Sequence, residues 1–481
     1  MTRTFIAAAG LVSLVGLTSA QSRRPLTPDD IFELKSVGDP RISPDGAWVA
    51  YTVSTMDRKE DNSDTDIYMV PTAGGDSIRL TSSKKPESGP RWSPDGRYLA
   101  FTSARDGKKS QVYLLDRRGG DAVAITDYKT GASSVAWSPD SSKLALLVSD
   151  PDPNDQDADK ADADKKPKPH VITRLQFMRD GEGYLTDIKR HIHVFDIATK
   201  SDVEIAHDRY DDGAPVWSLD GKLIAFSSNR TDNPDANDNS DIFVVEPKAG
   251  AKPRAVTTYQ GSDGSPAFSP DGRWIAYTQG GDPKDIWYAM NNIALVPVDG
   301  GAPKILTAGL DRSVSRPQFA PNGASVVFML EEGGNVHLAQ VPTGGGAIER
   351  ILNGERDVNA FDVAKTGDIA ILESRFQQPS EVFLVDRAIA DAKQLTHVND
   401  AFLAKIALGS VERYKAKSAD GTMIDAYLTR PPNTPPGNGV KLPTILRIHG
   451  GPVSQYSTGF NLEWQMLAAH GFAVVAANPR G

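Results

Sequence analysis

The fold is decided by residues 268–278, which read FSPDGRWIAYT. In the turn at 269–272, serine can bond back to the backbone, proline presets φ, and glycine accepts the exit conformation of a type I turn. The residues after the turn alternate between apolar and small or polar side chains, which is the pattern of a half-buried strand. This stretch therefore predicts a β-hairpin.

The same turn is repeated along most of the chain. Seven copies occur, the last of them degraded, at residues 43–46, 93–96, 138–141, 218–221, 269–272, 320–323 and 364–367. A second apolar strand recurs in step with the turn, at residues 67–70, 112–115, 193–196, 242–245, 293–296, 336–339 and 381–384. The copies lie about 45–50 residues apart, with one wider gap, and this period is typical of β-propeller blades.

One blade cannot bury both of its faces, so the blades must stack around an axis. The sequence therefore predicts an all-β seven-bladed β-propeller over residues 21–405, because a β-sandwich would not repeat one turn so often. The wider gap contains a charged insertion at residues 150–170, composed mostly of Asp, Lys, Pro and Ala. Such a composition favours a solvated loop, with a lid or a recognition segment as the alternative.

The first twenty residues have the pattern of a signal peptide. Arg3 precedes an apolar run at 5–17, and small residues at 18–20 form a cleavage site. The run is shorter than the roughly 20 residues that a spanning helix needs, so no membrane association is expected after cleavage. We expect a periplasmic or secreted protein.

The composition excludes several kinds of function. The chain contains no cysteine, which excludes disulfides, cysteine catalysis and thiolate metal sites. Its formal net charge of −9 argues against a nucleic-acid partner. A large core must therefore stabilise the exported chain.

After residue 405 the pattern changes to strand, helix, strand. Residues 444–448 and 472–477 read as buried strands, and residues 462–470 read as a helix with Asn461 as its N-cap. Continuous apolar strands around a helix predict a mostly parallel sheet. Residues 406–481 are therefore interpreted as the incomplete N-terminal part of an α/β-hydrolase domain.

The first of these strands leads into His449, Gly450 and Gly451, followed by proline. A His-Gly-Gly turn at this place can supply a backbone N–H to a hydrolase oxyanion hole. No G-x-S-x-G motif occurs in the 481 residues, and in this fold the nucleophile, the acid and the histidine come later in the chain. We therefore expect the triad to lie beyond residue 481.

On these motifs the chain resembles the prolyl oligopeptidase family of serine peptidases, in particular its acylaminoacyl-peptidase and dipeptidyl-peptidase-like bacterial members. Beside the repeated turns, the resemblance rests on residues 26–30, 171–175, 180–184, 418–421, 449–452 and 477–481. It implies a propeller that caps an α/β-hydrolase domain, with short peptides as substrates cleaved in the cavity between the two domains. It implies no cofactor.

The resemblance also assigns Gly450 and Gly451 to the oxyanion turn. Prolyl oligopeptidases have a tyrosine in place of His449, and its hydroxyl donates to the oxyanion. Backbone donation is therefore the expectation here, and whether the side chain of His449 donates or only packs and orients the loop stays open.

Two functions follow from these observations. The first is an exported serine peptidase of short peptides, acylaminoacyl-, dipeptidyl- or oligopeptidase, of which residues 1–481 alone are inactive. The second is a non-catalytic periplasmic propeller that binds peptides or protein partners, because the blades also resemble those of Tol-type propellers. A G-x-S-x-G elbow downstream of Gly481 would favour the first.

Weaker signals predict no metal site. Asp235, Asn237, Asn239 and Glu246 have EF-hand spacing, but Ser240 replaces the required glycine. His191 and His193 share one face of a strand, and the sequence places no third ligand beside them, so an ordinary blade strand is predicted. Four arginines that could bind a carboxylate are interpreted as surface loop residues: Arg174, Arg230, Arg312 and Arg316.

Overall fold

The computed structural model describes residues 23–107, 109–152, 171–434, 437, 439–451 and 454–479. The predicted signal peptide at 1–20 and most of the charged insertion lie outside these residues. Within the described part, none of the helices combines the length and the apolar character needed to cross a membrane.

Seven groups of four strands follow one another along the described part of the chain, and we number them as sheets one to seven. The first five groups are separate four-stranded antiparallel sheets, whereas a parallel bridge between Val336 and Asp357 joins the last two groups into one eight-stranded sheet. Sheet one contains β1 (Ser36–Ile42), β2 (Trp48–Asp57), β3 (Asn62–Pro71) and β4 (Ile78–Arg79). Sheet two contains β5 (Glu87–Trp92), β6 (Tyr98–Ser103), β7 (Gln111–Asp116) and β8 (Val123–Ala124). Sheet three contains β9 (Ala132–Trp137), β10 (Lys143–Ser149), β13 (Arg190–Asp196) and β14 (Asp202–Glu204), and a separate hairpin, β11 (Met178–Arg179) with β12 (Gly183–Tyr184), lies between β10 and β13 in the chain.

The remaining four sheets repeat the arrangement. Sheet four contains β15 (Val216–Trp217), β16 (Ile224–Ser228), β17 (Asp241–Val245) and β18 (Arg254–Ala255). Sheet five contains β19 (Asp263–Phe268), β20 (Trp274–Gln279), β21 (Asn292–Pro297) and β22 (Lys304–Ile305). Sheet six contains β23 (Val314–Phe319), β24 (Ser325–Glu332), β25 (Asn335–Pro342) and β26 (Glu349–Leu352), and sheet seven contains β27 (Asp357–Val363), β28 (Ile369–Arg375), β29 (Gln378–Asp386) and β30 (Asp391–Gln394).

Apolar clusters between neighbouring sheets form the core. Sheet one packs against sheet seven, where the buried Tyr51 and Val49 meet Ala370 and Val382. The first and last sheets of the series are thus in contact through side chains, and among the described strands none of sheet one pairs with a strand of sheet seven. This arrangement is a β-propeller, as the sequence predicts.

The repeated turn has the predicted chemistry and connects the first and second strand of each sheet. The Ser269 hydroxyl donates to the Asp271 carboxylate over 2.6 Å and accepts from the backbone N–H of Trp274 over 2.9 Å. Gly272 adopts a φ of 70°, which glycine reaches without strain, and its N–H donates to the Ser269 carbonyl. One serine side chain therefore closes the hairpin on both sides.

The aromatic residue before the turn joins neighbouring sheets. The indole N–H of Trp137 donates to the carbonyl of Arg91 over 3.0 Å, and that of Trp92 donates to the carbonyl of Arg41 over 2.9 Å. Trp217 makes the same bond to the carbonyl of Ala136. A buried indole thus satisfies its donor while it packs between two sheets.

An eighth sheet follows the seven. It contains β31 (Val411–Lys417), β32 (Met423–Thr429), β33 (Thr444–Arg447) and β34 (Ala473–Ala477) in the order β31-β32-β34-β33. β33 and β34 are parallel, and β32 pairs antiparallel with β34. Two helices accompany it: α1 (Asp400–Leu403) and α2 (Leu462–Ala469). The Asn461 side chain caps α2 by accepting from the N–H of Trp464, as predicted.

The prediction that residues 444–448 form a buried strand is wrong in its burial. β33 forms, but the Leu446 and Ile448 side chains are 65% and 74% exposed. The reason is that β33 is an edge strand of this sheet, so among the described residues it has a strand partner on one side only.

The N-terminal residues pack next to the eighth sheet. Leu26 is buried together with Phe402 and Ile406, and partly buried side chains of α2, Leu462 and Met466, complete the cluster. A backbone bridge between Arg24 and Ile406 fixes the contact. Residues 24–26 therefore join the beginning of the propeller to the region of α2.

Candidate active site

The sequence-predicted site residues lie at the C-terminal end of β33. There the parallel strand gives way to the turn at His449, Gly450 and Gly451, whose glycines are exposed. Ligands of α/β sheets bind at this edge, beyond the carboxyl ends of the parallel strands. A Cβ placed on Gly450 would meet no atom within 4 Å, so its backbone is open to an approaching molecule.

The side chain of His449 packs against Tyr456. The two ring centroids lie 4.5 Å apart at an angle of 66°, and the His449 Nδ1 contacts the carbonyl of Gly450. The histidine is half-buried. This edge-to-face contact orients the turn through a neighbouring aromatic ring.

Tyr456 is itself held by three side chains. Its backbone N–H donates to Asn478 over 2.7 Å, and the Asn478 amide donates back to the Tyr456 carbonyl over 3.0 Å. The hydroxyl of the buried Tyr427 donates to the same carbonyl over 2.9 Å. The Tyr456 ring also lies edge-on to Trp464, with centroids 5.2 Å apart. Tyr456, against which His449 packs, is therefore fixed by hydrogen bonds to its backbone and by ring contacts to its side chain.

The segment after Tyr427 and before α2 also docks on the propeller. Gln455 accepts from the N–H of Gly334 over 2.8 Å and donates to the carbonyl of Asn335 over 3.1 Å. The backbone N–H of Thr458 donates to the carbonyl of Gly334 over 2.8 Å. These bonds join the hydrolase-like sheet to the loop between β24 and β25 in sheet six.

Sheet seven supplies a second contact. The Ser457 hydroxyl donates to the Asp357 carboxylate over 2.6 Å, and the N–H of Phe460 donates to the hydroxyl of Ser374 over 2.9 Å. Burial raises the pKa of the Asp357 carboxyl, against the lowering effect of the Ser457 hydrogen bond. A cavity of 260 Å³ lies between these residues and Trp464.

A large cavity opens on the propeller and has a volume of 1160 Å³. Its wall comes from sheets two to five and from the hairpin β11–β12. The lining is mostly polar and carries both charges, with Lys109, Asp150, Arg174, Lys189, Arg190, Arg209 and Asp211 among its residues. A cavity of this size and polarity can hold several residues of a peptide.

This cavity and the docking contacts lie on the same face of the propeller. In an antiparallel meander, all connections between second and third strands emerge on one face. The cavity uses such connections, for example Asn229 between β16 and β17, and Gly334 and Gln377 in sheets six and seven contact the residues around β31 to β34. The repeated serine turns lie on the opposite face. The His-Gly-Gly turn is thus attached to the face that carries the cavity.

The prediction that four arginines are surface loop residues is wrong for Arg230, which is largely buried, and for Arg316, which lies on a strand. Arg230 is not a surface residue: its side chain is 13% exposed, and it pairs with Asp208 and Asp212 while it packs over Phe226. Burial of a guanidinium requires such paired carboxylates. The other three arginines reach solvent. Arg174 pairs with Asp235 and lines the large cavity. Arg312 lies on an exposed loop, and Arg316 is exposed on β23.

The metal predictions also need one correction. His191 and His193 lie on β13 as predicted, and His193 pairs with Asp202 over 2.8 Å. The expectation that no further ligand accompanies them is wrong, because His191 lies beside His207 and two carboxylates. Residues distant in sequence were brought together by the sheet, which spacing alone could not reveal. At the EF-hand spacing, Asp235 instead pairs with Arg174.

Sequence reasoning missed the residues that support the turn. Asn478 carried a signal, because it belongs to the Asn-Pro-Arg-Gly stretch of the family resemblance. Gln455 and Tyr456 carried none. The role of Gln455 depends on a contact with sheet six, 120 residues away in sequence, and that of Tyr456 depends on Tyr427 and Asn478, which come from two different strands or strand ends.

Comparisons with known proteins agree with this architecture. Residues 32–169 match the family model of the TolB β-propeller domain. The chain is 30% identical over 474 residues to an uncharacterised peptidase of Bacillus subtilis, YuxL, covering 95% of this chain and 71% of that protein. It is 27% identical over 503 residues to dipeptidyl-peptidase 5 of Porphyromonas gingivalis, covering 100% of this chain and 71% of that protein.

Solved structures show the same fold. Acylaminoacyl peptidase of Pyrococcus horikoshii superimposes with a TM-score of 0.75 at 22% identity, covering 94% of this chain and 66% of that one. The β-propeller domain of the Trilobed protease from Pyrococcus furiosus, described as an open velcro topology, gives a TM-score of 0.54 at 21% identity and covers 76% of this chain and 97% of that one. The chain belongs to the prolyl oligopeptidase family of peptidases.

Proposed function

We propose that this chain is part of an exported serine peptidase that hydrolyses short peptides. Sheets one to seven act as seven blades over residues 21–405, and residues 406–481 begin the hydrolase domain. The observation that carries the proposal is the attachment of the His-Gly-Gly turn, through Gln455, to the propeller face that holds the large cavity.

Within this proposal the turn acts as one side of an oxyanion hole. Backbone N–H groups at Gly450 and Gly451 donate to the oxyanion that forms when an acyl group is attacked. His449 orients the turn through its contact with Tyr456 and does not itself donate. Asn478 and Tyr427 hold Tyr456, so the donors are fixed before the substrate binds.

The nucleophilic serine and its histidine and aspartate come from elsewhere in the full-length protein. Two observations support this part of the proposal: no G-x-S-x-G motif occurs in residues 1–481, and the chain spans 71% of the Bacillus subtilis relative. Residues 1–481 alone are therefore expected to be inactive. We also propose export to the periplasm or to the outside of the cell, on the basis of the signal-peptide pattern in the sequence at 1–20.

Short substrates follow from the position of the cavity. A peptide must reach the turn between the propeller and the hydrolase sheet, where polar contacts of sheets six and seven close one side. A folded protein does not fit a cavity of 1160 Å³, whereas a few extended residues do.

The experiment uses the product of the complete reading frame. We expect it to release dipeptides or acylated residues from fluorogenic short peptides, with a G-x-S-x-G elbow encoded downstream of Gly481, and to leave folded proteins intact. A reading frame without such an elbow, or a protein that binds peptides without cleaving them, would instead support the non-catalytic propeller, which the match to the TolB propeller domain favours.

A further inference from the structure

Four side chains that suit a metal ion meet at one end of sheet three. Asp150, His191, Glu204 and His207 each present a ligand atom, and these atoms all lie within 4.8 Å of one another. We call these residues the sheet-three cluster. None of its residues belongs to the His-Gly-Gly turn, and only Asp150 also lines the large cavity.

The sheet brings these residues together from distant parts of the chain. Asp150 follows the last residue of β10, and its N–H donates to the carbonyl of Lys189 beside β13. His191 is the second residue of β13, and Glu204 is the last residue of β14. His207 lies three residues beyond Glu204. The cluster therefore belongs to the ordered edge of three neighbouring strands.

His191 is the residue that points to a ligand. It is fully buried, and neither of its ring nitrogens has a hydrogen-bond partner among the described residues. Its Nε2 lies 3.4 Å from the Asp150 carboxylate and its Nδ1 lies 3.8 Å from that of Asp212, both too long or too poorly aligned for a hydrogen bond. A buried imidazole without partners is costly, and a metal ion would satisfy one nitrogen.

The other ligands can close around an ion. The ring centroid of His207 lies 5.0 Å from that of His191, and the His207 Nδ1 is 2.7 Å from the Glu204 carboxylate. Ligand atoms of a tetrahedral zinc site lie about 3.3 Å apart, given metal–ligand bonds of about 2.0–2.2 Å. The His207 side chain is 67% exposed and that of Glu204 36% exposed, so both can make the small movement required.

The donor set selects the kind of ion. Two imidazoles and two carboxylates suit zinc and similar divalent transition metals, whereas calcium and magnesium prefer oxygen ligands alone. The two carboxylates neutralise a divalent charge, and the Asp212 carboxylate nearby adds to the negative potential although it is paired with Arg230.

We propose that Asp150, His191, Glu204 and His207 bind a divalent transition metal ion of the zinc class. Because Asp150 also lines the large cavity, the ion fixes the start of the charged insertion at 150–170 to the edge of the propeller wall. The site is structural in this role: all four protein ligands are engaged, and no open position is needed for a reaction.

Zinc chloride titrated into untagged protein treated with EDTA tests the proposal. By calorimetry we expect one equivalent to bind, and the thermal midpoint of unfolding to rise with zinc and not with magnesium or calcium. X-ray absorption at the zinc edge should report nitrogen and oxygen ligands, with two imidazoles. No saturable binding, or binding without imidazole ligands, would overturn the proposal.

Two variants keep the test independent of folding. His207→Ala removes an exposed ligand and should weaken zinc binding at least tenfold, with the midpoint of the metal-free protein unchanged. His397→Ala is the matched control, because His397 is similarly exposed at 60% and pairs with Asp400 three residues away, as His207 does with Glu204. Equal zinc affinity in the two variants would show that the cluster is not the site.

Discussion

Buried carboxylates at the start of the first strand differ in their partners from sheet to sheet. Glu87 at the start of β5 pairs with Arg105 over 2.7 Å, two residues after β6 ends. Asp263 holds the same place at the start of β19, but the residue two positions after β20 is Gly281. Within the part of the chain that the structure describes, neither carboxylate oxygen of Asp263 has a hydrogen-bond partner. Burial raises the pKa of Asp263 to about 7, and that of the neighbouring Asp241 to about 6.

These raised pKa values make the stability depend on pH. The folded protein holds the two protons up to a higher pH than the unfolded chain, whose aspartates titrate near 3.8. The free energy of unfolding should therefore fall as the pH rises from about 4 to about 7. We expect Asp263→Asn to raise the free energy of unfolding by about 1–3 kcal/mol at pH 8 and by much less at pH 5.

Urea unfolding at the two pH values measures this effect. Asp311→Asn is the control, since the Asp311 side chain is 94% exposed and its replacement should change stability little at either pH. A gain from Asp263→Asn that is the same at pH 5 and pH 8 would show that the buried carboxyl does not titrate as described.

At the scale of the element, the repeated turn offers a paired test. Ser269→Ala removes a hydroxyl that bonds both Asp271 and the N–H of Trp274, and it should cost about 1–2 kcal/mol of stability. Ala320 occupies the same place in sheet six, where the Gly323 N–H still donates to its carbonyl. Ala320→Ser should therefore stabilise the protein or leave it unchanged. Chemical unfolding of both variants checks the pair, and a loss in Ala320→Ser would contradict the assigned role of the hydroxyl.

The elements also show how far sequence reasoning extends. The hairpins were predictable because each depends on a local turn, such as that at 269–272, and on strands that pair with their neighbours in sequence. The exposure of β33 was not predictable, because an apolar strand has the same sequence pattern whether other elements cover it or it lies at the edge of a sheet. The sequence showed that an aromatic residue precedes the turn, but it did not show that the indole of Trp137 forms a hydrogen bond to the neighbouring sheet.

Part of the candidate site was also predictable from the sequence, and part of it was not. Gly450 and Gly451 were predictable because the turn follows an apolar strand within a few residues. The docking of Gln455 on Asn335 and the meeting of His191 with His207 required the tertiary fold, since both contacts join different strands and loops.

At the scale of the whole molecule, the contact between the propeller and the eighth sheet is made by polar groups. Gln455→Ala removes two hydrogen bonds to residues 334 and 335, where β24 turns into β25. It should lower the free energy of local unfolding of residues 411–479 by about 1–2 kcal/mol. Limited proteolysis should then cut this part faster while the propeller stays resistant. Gln340→Ala is the control, because Gln340 lies on β25 and bonds within the propeller. Equal cleavage rates in both variants would exclude Gln455 as a fixing point.

The proposed function is peptide hydrolysis by a serine enzyme, and a fluorophosphonate probe tests that proposal most directly. The probe should label the product of the complete reading frame at one serine, and labelling should be lost when that serine is replaced by alanine. Residues 1–481 alone should remain unlabelled. Specific labelling of residues 1–481, or an unlabelled full-length protein that is folded, would contradict the account.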